Sequence, residues 1–163
     1  MAVNDTAAPD ATDVRRHLLV IRLGLMVSVV INVVAGFIVV KVVMLAPIVP
    51  PAHHPTVGAL AAAVALLVAA ASFWWRRRTL TVEALAAGGA AGDLVMRFKQ
   101  AHIVCWGVSE IASLAGLMAT LVTGEIRFVF GGSVIALILM AAIHRPDFSV
   151  LDAAARAPRR RAR

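Results

Sequence analysis

The sequence predicts an all-α integral membrane protein, a bundle of four transmembrane helices. Its hydrophobic fraction is 61% and its charged fraction 15%, whereas soluble domains carry about 25% charged residues. The apolar residues are gathered into four runs, and each approaches the ~20 residues that a helix needs to cross a bilayer. The basic residues cluster at the ends of these runs, which is typical of membrane-flanking segments.

The first span is predicted at about residues 23–46, because Leu23 to Val40 contains no charged residue. Arg22 precedes this run and Lys41 follows it, so each can reach an interface with its charged end. The run is longer than the apolar part of a signal peptide, which favours a permanent helix. Residues 1–14 are small and polar and are predicted to form a disordered tail.

The second span is predicted at residues 57–75, after a proline-rich loop that a helix cannot continue through. It is built mainly of Ala, Val and Leu and closes with Phe73, Trp74 and Trp75. Arg76, Arg77 and Arg78 follow directly. Aromatic rings followed by a basic cluster are typical of a cytoplasmic helix end.

The third and fourth spans are predicted at residues 101–123 and 126–143, with a tight turn between them. Before the third span we expect a short helix within residues 79–87 and an amphipathic segment at 94–99 lying at the interface. Together the spans make one domain, residues 15–146. Residues 147–163 are predicted to be a basic cytoplasmic tail.

The distribution of basic residues sets the predicted orientation. Of the 16 Lys and Arg residues, all except Lys41 and Arg127 fall on one side of a four-span bundle. This places both termini in the cytoplasm of a cell-membrane protein. We therefore expect the lipid bilayer to be a partner of this chain, with anionic lipid in contact with the basic loops. The net charge of +7 does not indicate nucleic acid, since no basic face with interleaved aromatics is present.

Glu110 is the sharpest candidate for function, because it lies near the middle of the third apolar run. A charge at that depth costs at least ~2.5 kcal/mol. Two interpretations stay open: a carboxyl hydrogen-bonded to a neighbouring helix, and a carboxyl that binds a proton or cation. Ser113 shares its helix face and is the second ion-binding candidate. Asn32 in the first span is a second polar group at that depth and one candidate partner of Glu110, with other pairings open.

Small residues surround Glu110 on the third span and predict a close helix contact. The packing candidates are Gly107, Ser109, Ala112 and Gly116. Such residues let helix backbones approach one another in lipid.

Other residues whose side chains could react or bind a metal lack the pattern that catalysis or metal binding requires. His53 and His54 are adjacent without nearby carboxylates, which favours a solvated loop over a metal site. Cys105 lies in an apolar segment and is interpreted as a packing residue. No phosphate-binding loop, nucleophile elbow or zinc motif appears. We therefore predict no catalytic residue, no metal and no cofactor.

Residues 97–100 (Arg-Phe-Lys-Gln) and 109–117 (Ser-Glu-Ile-Ala-Ser-Leu-Ala-Gly-Leu) resemble the carboxylate helix of the rotary ATPase c-subunit (proteolipid) family. In that family a polar loop with Arg and Gln leads into a helix that carries a mid-membrane carboxylate. The resemblance implies that the second and third spans form a c-like hairpin, and that Glu110 is the ion-binding carboxylate.

Two functions follow as hypotheses. The first is a non-enzymatic multi-pass membrane protein, a structural or accessory subunit that packs by helix–helix contacts into a homo-oligomer or a larger membrane complex. The alternative is a c-subunit-like oligomer that binds a proton or cation at Glu110.

Overall fold

The computed structural model describes residues 11–43, 46–87 and 91–157. Within these ranges the chain is helical apart from short connections and contains no strand. The all-α class predicted from the sequence is therefore confirmed.

The described residues form six α-helices. Helix α1 spans Ala11–Ile38 and continues as a π-helical turn, Val39–Val43. A 3-10 turn, Pro51–His53, leads into α2, His54–Thr79. The remaining helices are α3, Val82–Ala86; α4, Ala91–Thr123; α5, Arg127–Ile138, with a π-helical turn at Leu139–Ile143; and α6, Phe148–Arg156.

Three helical stretches are long and apolar enough to cross a membrane: Thr12–Val43, Pro51–Thr79 and Asp93–Thr123. A fourth, Arg127–Ile143, meets the test only together with α6, from which it is bent by 42°. By itself this stretch has 17 residues, or about 25 Å of helix. Residues 11–43, 46–87 and 91–157 thus contain three candidate spans, or four if the bent pair is taken as one.

Helix α1 begins earlier than the sequence indicates. Residues 11–14, which the sequence predicts to belong to a disordered tail, form its first turn, and residues 1–10 lie outside the described residues. Val14 and Leu18 explain the difference, because they lie one turn apart on one face and both are buried. That face packs on the apolar core described next.

A small apolar core lies at the end of the bundle where α1 starts and α6 ends. Its buried members come from α1, α3, α4 and α6: Val14, Leu18, Leu85, Phe98, Leu151 and Ala154. The Phe98 and Phe148 ring centroids lie 5.6 Å apart. We call this unit the helical cap, and the end that carries it the cap end.

Helix α6 replaces part of the tail predicted for residues 147–163. Asp147 caps it, since its Oδ1 accepts a hydrogen bond of 3.0 Å from the Ser149 amide. Phe148, Leu151 and Ala154 share one face, which gives the segment an apolar side to bury. Residues 158–163 of the predicted tail lie outside the described residues.

The amphipathic segment predicted at 94–99 is not a separate interfacial element. It is the start of α4, a continuous helix of 33 residues. Such a helix is about 50 Å long, which exceeds the ~30 Å hydrocarbon core of a bilayer. The excess length carries Phe98 into the helical cap. The short helix expected within 79–87 is present as α3, capped by the Thr81 hydroxyl.

Helix α4 is the centre of the bundle and packs against α1, α2 and α5. In its most apolar stretch 44% of the residues are buried, against 11% in α1 and 17% in α2. The outer faces of α1 and α2 instead expose large apolar side chains, such as Val27 and Ile31 on α1 and Leu66 and Leu67 on α2. Polar side chains on α4 therefore meet neighbouring helices.

The Arg22 side chain of α1 donates hydrogen bonds to the end of the α5 segment. Its Nε donates to the Met140 carbonyl at 3.1 Å and its Nη2 to the Ala141 carbonyl at 2.7 Å. Carbonyls in the last turn of a helix lack partners within the helix. Arg22 therefore caps a distant helix end, in addition to flanking an apolar run.

Candidate functional site

Five polar side chains connect α1, α4 and α5 in the middle of the bundle. Ser28 Oγ donates a hydrogen bond to Glu110 Oε1. Asn32 Nδ2 donates to Ser113 Oγ at 3.2 Å, and Ser113 Oγ lies 2.9 Å from Ser133 Oγ. We call these five residues the polar line.

Helical spacing explains how the polar line forms. Ser28 and Asn32 are four positions apart on α1, and Glu110 and Ser113 are three apart on α4, so each pair shares a helix face. The two faces meet. Ser113 also reaches α5, and both its side chain and that of Ser133 are buried. Three helices are thus joined by side-chain hydrogen bonds.

The Glu110 carboxyl is half-buried, and Ser28 is its one hydrogen-bond partner among residues 11–43, 46–87 and 91–157. No basic side chain of those ranges lies within ion-pair distance of it. The candidate contact between Glu110 and Asn32 is not formed, because Asn32 bonds Ser113 instead. Ser28, one turn earlier on α1, takes the place that Asn32 was expected to fill.

The four packing candidates lie in different surroundings. A Cβ atom on Gly116 would collide with the Phe128 carbonyl oxygen of α5, so Gly116 permits a very close approach. A Cβ on Gly132 would collide likewise with the Ala112 carbonyl oxygen. Ser109 is buried and donates to the Cys105 carbonyl of its own helix at 2.7 Å. Gly107 is exposed, and a Cβ there would meet no atom within 4 Å.

A shallow groove of about 130 Å³ runs between α2 and α5, with α4 as its floor. Most of its lining residues are Gly or Ala: Gly58, Ala61, Ala62, Ala65, Ala112, Gly116, Gly131 and Gly132. We call it the small-residue groove. A surface of this composition lets another helix backbone come close.

At the end opposite the helical cap, His54 contacts two of the segments that connect helices, the one before α2 and the one between α4 and α5. Its Nδ1 lies 2.6 Å from Glu125 Oε1 and its Nε2 lies 3.0 Å from the Val49 carbonyl. Arg127 pairs with the second carboxylate oxygen. The hydrogen bond from His54, and then the positive charge of Arg127, lower the pKa of Glu125. His54 is thus a buried structural residue, whereas the sequence placed it in a solvated loop.

Near the cap end, His144 is held by α2 and α4. Its carbonyl accepts from Trp106 Nε1 at 3.0 Å, and its Nε2 lies 3.0 Å from Ser72 Oγ. The Ser72 hydroxyl gives its proton to the Ala69 carbonyl, so it must accept from His144 Nε2–H. Burial, and then the nearby positive charge of Arg76, lowers the pKa of His144 to about 4. The neutral ring with its proton on Nε2 fits this position.

Across the part of the chain that the structure describes, no three His, Cys, Asp or Glu side chains come together as a metal site. Cys105 is buried, with its Sγ 3.8 Å from the Ser72 carbonyl.

Sequence reasoning missed Ser28, Ser133, Ser72 and Arg22 as partners. A signal existed for Ser28, since it lies one turn from Asn32 on the same face of α1. For Ser133 no local signal exists, because its contact with Ser113 depends on how α4 and α5 cross.

Comparisons with protein-family models, with curated proteins and with solved structures found no match to this chain. The resemblance of residues 97–117 to the c-subunit helix stays a sequence-based hypothesis.

Proposed function

We propose that this chain is a multi-pass protein of the cell membrane with both termini in the cytoplasm. The support is the large apolar surface of α1 and α2, which suits lipid better than water. The end of α2 adds to it, because Arg77 and Arg78 stack on Phe73 and Trp74, each with its Cζ 4.5 Å from the ring centroid. Aromatic and basic residues together are typical of a membrane interface.

The membrane placement is tested by cysteine labelling of intact cells in a Cys105→Ala background. A membrane-impermeant maleimide should label Ala52→Cys, in the connection before α2, and should leave Ala157→Cys and Gly89→Cys unlabelled until the cells are opened. Labelling of Ala157→Cys in intact cells would reverse the orientation.

Within the membrane, we propose that the chain acts as a non-enzymatic structural or accessory subunit that packs by helix–helix contacts. The small-residue groove is the observation that carries this proposal. Helices in lipid associate through van der Waals packing rather than through the hydrophobic effect, and small residues maximise that packing. The groove would receive an apolar helix, from a second copy of this chain in a homo-oligomer or from another subunit of a larger complex.

Two neighbouring alanines provide a matched test of this role. Ala62 lines the groove, whereas Ala63 is exposed elsewhere on α2. In mild detergent, Ala62→Leu should shift the native mass of the complex towards the monomer, and Ala63→Leu should not. Partner proteins that co-purify with the parent and disappear with Ala62→Leu would indicate a larger complex. A monomer at all concentrations with no co-purifying protein would contradict the proposal.

The alternative is a c-subunit-like oligomer that binds a proton or cation at Glu110. The observation that favours it is that this carboxyl has one hydrogen bond to the described part of the chain, which leaves acceptor capacity unused. Ser113, the second candidate ligand, is engaged by Asn32 and Ser133. Ser28 is therefore the hydroxyl closest to the carboxyl in this arrangement.

A hydrophobic carbodiimide separates the two functions, because it reacts with a neutral carboxyl in an apolar setting. Under the ion-binding hypothesis it should modify the parent protein at Glu110, less so as the pH is raised, and cations that bind should protect against it. Glu110→Gln should assemble but lose this reaction and any ion-dependent activity, while Glu83→Gln in α3 should retain both. An unreactive parent protein favours the structural subunit.

A further inference from the structure

An open basin of about 460 Å³ lies at the cap end, where α1, α2 and the α5–α6 connection meet. Three arginines line it, one from each element: Arg15, Arg76 and Arg145. The rest of the lining is Pro146, Asp147, Phe148 and Ser149. Three cations that are distant in sequence thus share one cavity.

The positive charge in this basin is not neutralised by ion pairs within the described ranges. No carboxylate of those residues lies within 4.0 Å of the three arginine side chains. Asp147 is the one acid in the lining, and its Oδ1 already accepts from the Ser149 amide at 3.0 Å and from the Ser149 hydroxyl at 2.6 Å. Three guanidinium groups therefore share the lining with one carboxylate, on which the charge of Arg76 also acts, so the lining keeps a net positive charge.

One of the arginines makes a ring contact and another is partly buried. Arg15 stacks on Phe148, with its Cζ 5.1 Å from the ring centroid. Arg76 is half-buried and follows directly after the aromatic end of α2. A guanidinium restrained in this way loses less conformational entropy when it binds a ligand.

We propose that the Arg15–Arg76–Arg145 basin binds a phosphate group. The planar fork of N–H donors on each guanidinium matches phosphate oxygens, and charge-assisted hydrogen bonds of this kind are among the strongest in proteins. The ligand is either the headgroup of an anionic phospholipid or a soluble phosphate compound. The lipid source rests on the proposed membrane placement, in which Arg76 lies at headgroup depth beside Trp75.

Native mass spectrometry of the purified full-length protein in detergent tests the site. Phosphatidylglycerol, phosphatidylcholine and inorganic phosphate are each titrated against the parent. Arg145→Gln is the main variant, because Arg145 is exposed and its loss leaves the packing intact. Arg77→Gln is the matched control, since it removes the same charge from α2 at a position next to Arg76 that stacks on Phe73 outside the basin.

We expect one phosphatidylglycerol per chain, and a loss of about tenfold in affinity for Arg145→Gln and for Arg76→Gln, as for one charge-assisted hydrogen bond. Arg77→Gln should change the affinity by less than about twofold, as for a screened surface charge. Asp147→Asn should tighten binding, because Asn still caps α6 but removes the one negative charge in the lining.

The outcomes distinguish a phospholipid headgroup from a soluble phosphate compound, and both from the absence of a phosphate site. Arginine-dependent binding of phosphatidylglycerol but not of inorganic phosphate assigns the basin to a lipid headgroup. Arginine-dependent binding of inorganic phosphate assigns it to a soluble ligand. Equal losses for Arg145→Gln and Arg77→Gln, or no binding by either probe, would overturn the site. Binding in detergent is measured independently of groove-mediated assembly and of topology, so its failure is distinguishable from failure of the proposed function.

Discussion

The Ser28 hydroxyl of α1 donates a hydrogen bond to the Glu110 carboxyl of α4, although the two residues lie 82 positions apart in the sequence. The contact gives the carboxyl in the middle of α4 a polar neighbour on another helix. It also fixes the rotation of α1 about its axis relative to α4. Asn32 can then reach Ser113, so the second hydrogen bond of the polar line depends on the same packing.

Ser28→Ala should lower the free energy of unfolding by about 0.6–1.7 kcal/mol, the range found for interhelical hydrogen bonds in membranes. Glu110→Gln should cost less, because an amide can still accept from Ser28. Reversible unfolding in mixed micelles measures both, and the double variant gives the coupling energy. Ser109→Ala is the control, since that hydroxyl bonds only within α4. Equal losses for Ser28→Ala and Ser109→Ala would argue against a special interhelical bond.

The adjacent glycines Gly131 and Gly132 on α5 should differ in their tolerance of alanine. Gly132→Ala places a methyl group against the Ala112 carbonyl oxygen, and Gly116→Ala does the same against Phe128. Both should destabilise the bundle by about 1–3 kcal/mol, because a backbone carbonyl cannot move away from the new methyl group without shifting its whole helix. Gly131→Ala and Gly107→Ala meet no atom within 4 Å. For the fold of the single chain they should be neutral, or stabilising by up to about 1 kcal/mol from helix propensity.

Thermal unfolding in detergent measures all four glycine variants under the same conditions. If Gly132→Ala were as stable as Gly131→Ala, the close approach of α4 and α5 would be contradicted.

The Glu125 carboxylate should stabilise the protein in a pH-dependent manner. Its pKa is lowered from the usual 4.5, mainly by the hydrogen bond from His54. The unfolded state therefore takes up a proton before the folded state does as the pH falls. The advantage of the parent over Glu125→Gln in thermal unfolding should be complete above pH 4.5 and should disappear as the pH drops through the lowered pKa.

A His54→Ala background provides the control for this effect. His54 is the largest cause of the pKa shift of Glu125, so Glu125→Gln should change stability less in that background. An undiminished effect would assign the stabilisation to Arg127 rather than to His54.

Arg22→Gln should destabilise the bundle by about 1.5–3 kcal/mol, the range for hydrogen bonds that involve a charged group. Its two bonds to Met140 and Ala141 are lost together, and they join α1 to the end of the α5 segment. Arg16→Gln is the matched control, because Arg16 is exposed and has no hydrogen bond or ion pair in the described part of the chain. Unfolding curves that coincide for the two variants would show that Arg22 acts only as a flanking charge.

The helices and the candidate spans were predictable, because helix formation and hydropathy depend on residues close together in the sequence. Glu110 stood out for the same reason, as one carboxyl within an apolar run. Asn32, one candidate partner of Glu110, lies on the correct face of α1 but bonds Ser113 instead. A shift of one helical turn between α1 and α4 decides whether Asn32 meets Glu110 or Ser113. No local sequence pattern predicts that register.

By itself, the sequence determined an all-α chain with long apolar helices, basic ends and a carboxyl in the middle of α4. Only the tertiary structure decided which side chains meet: Ser28 with Glu110, His54 with Glu125, and the three arginines around the basin. The sequence separations of these contacts are 82 and 71 positions for the two pairs. The physical reason is that backbone hydrogen bonding and apolar periodicity act within a few turns, whereas helix rotation and register follow from packing between distant segments.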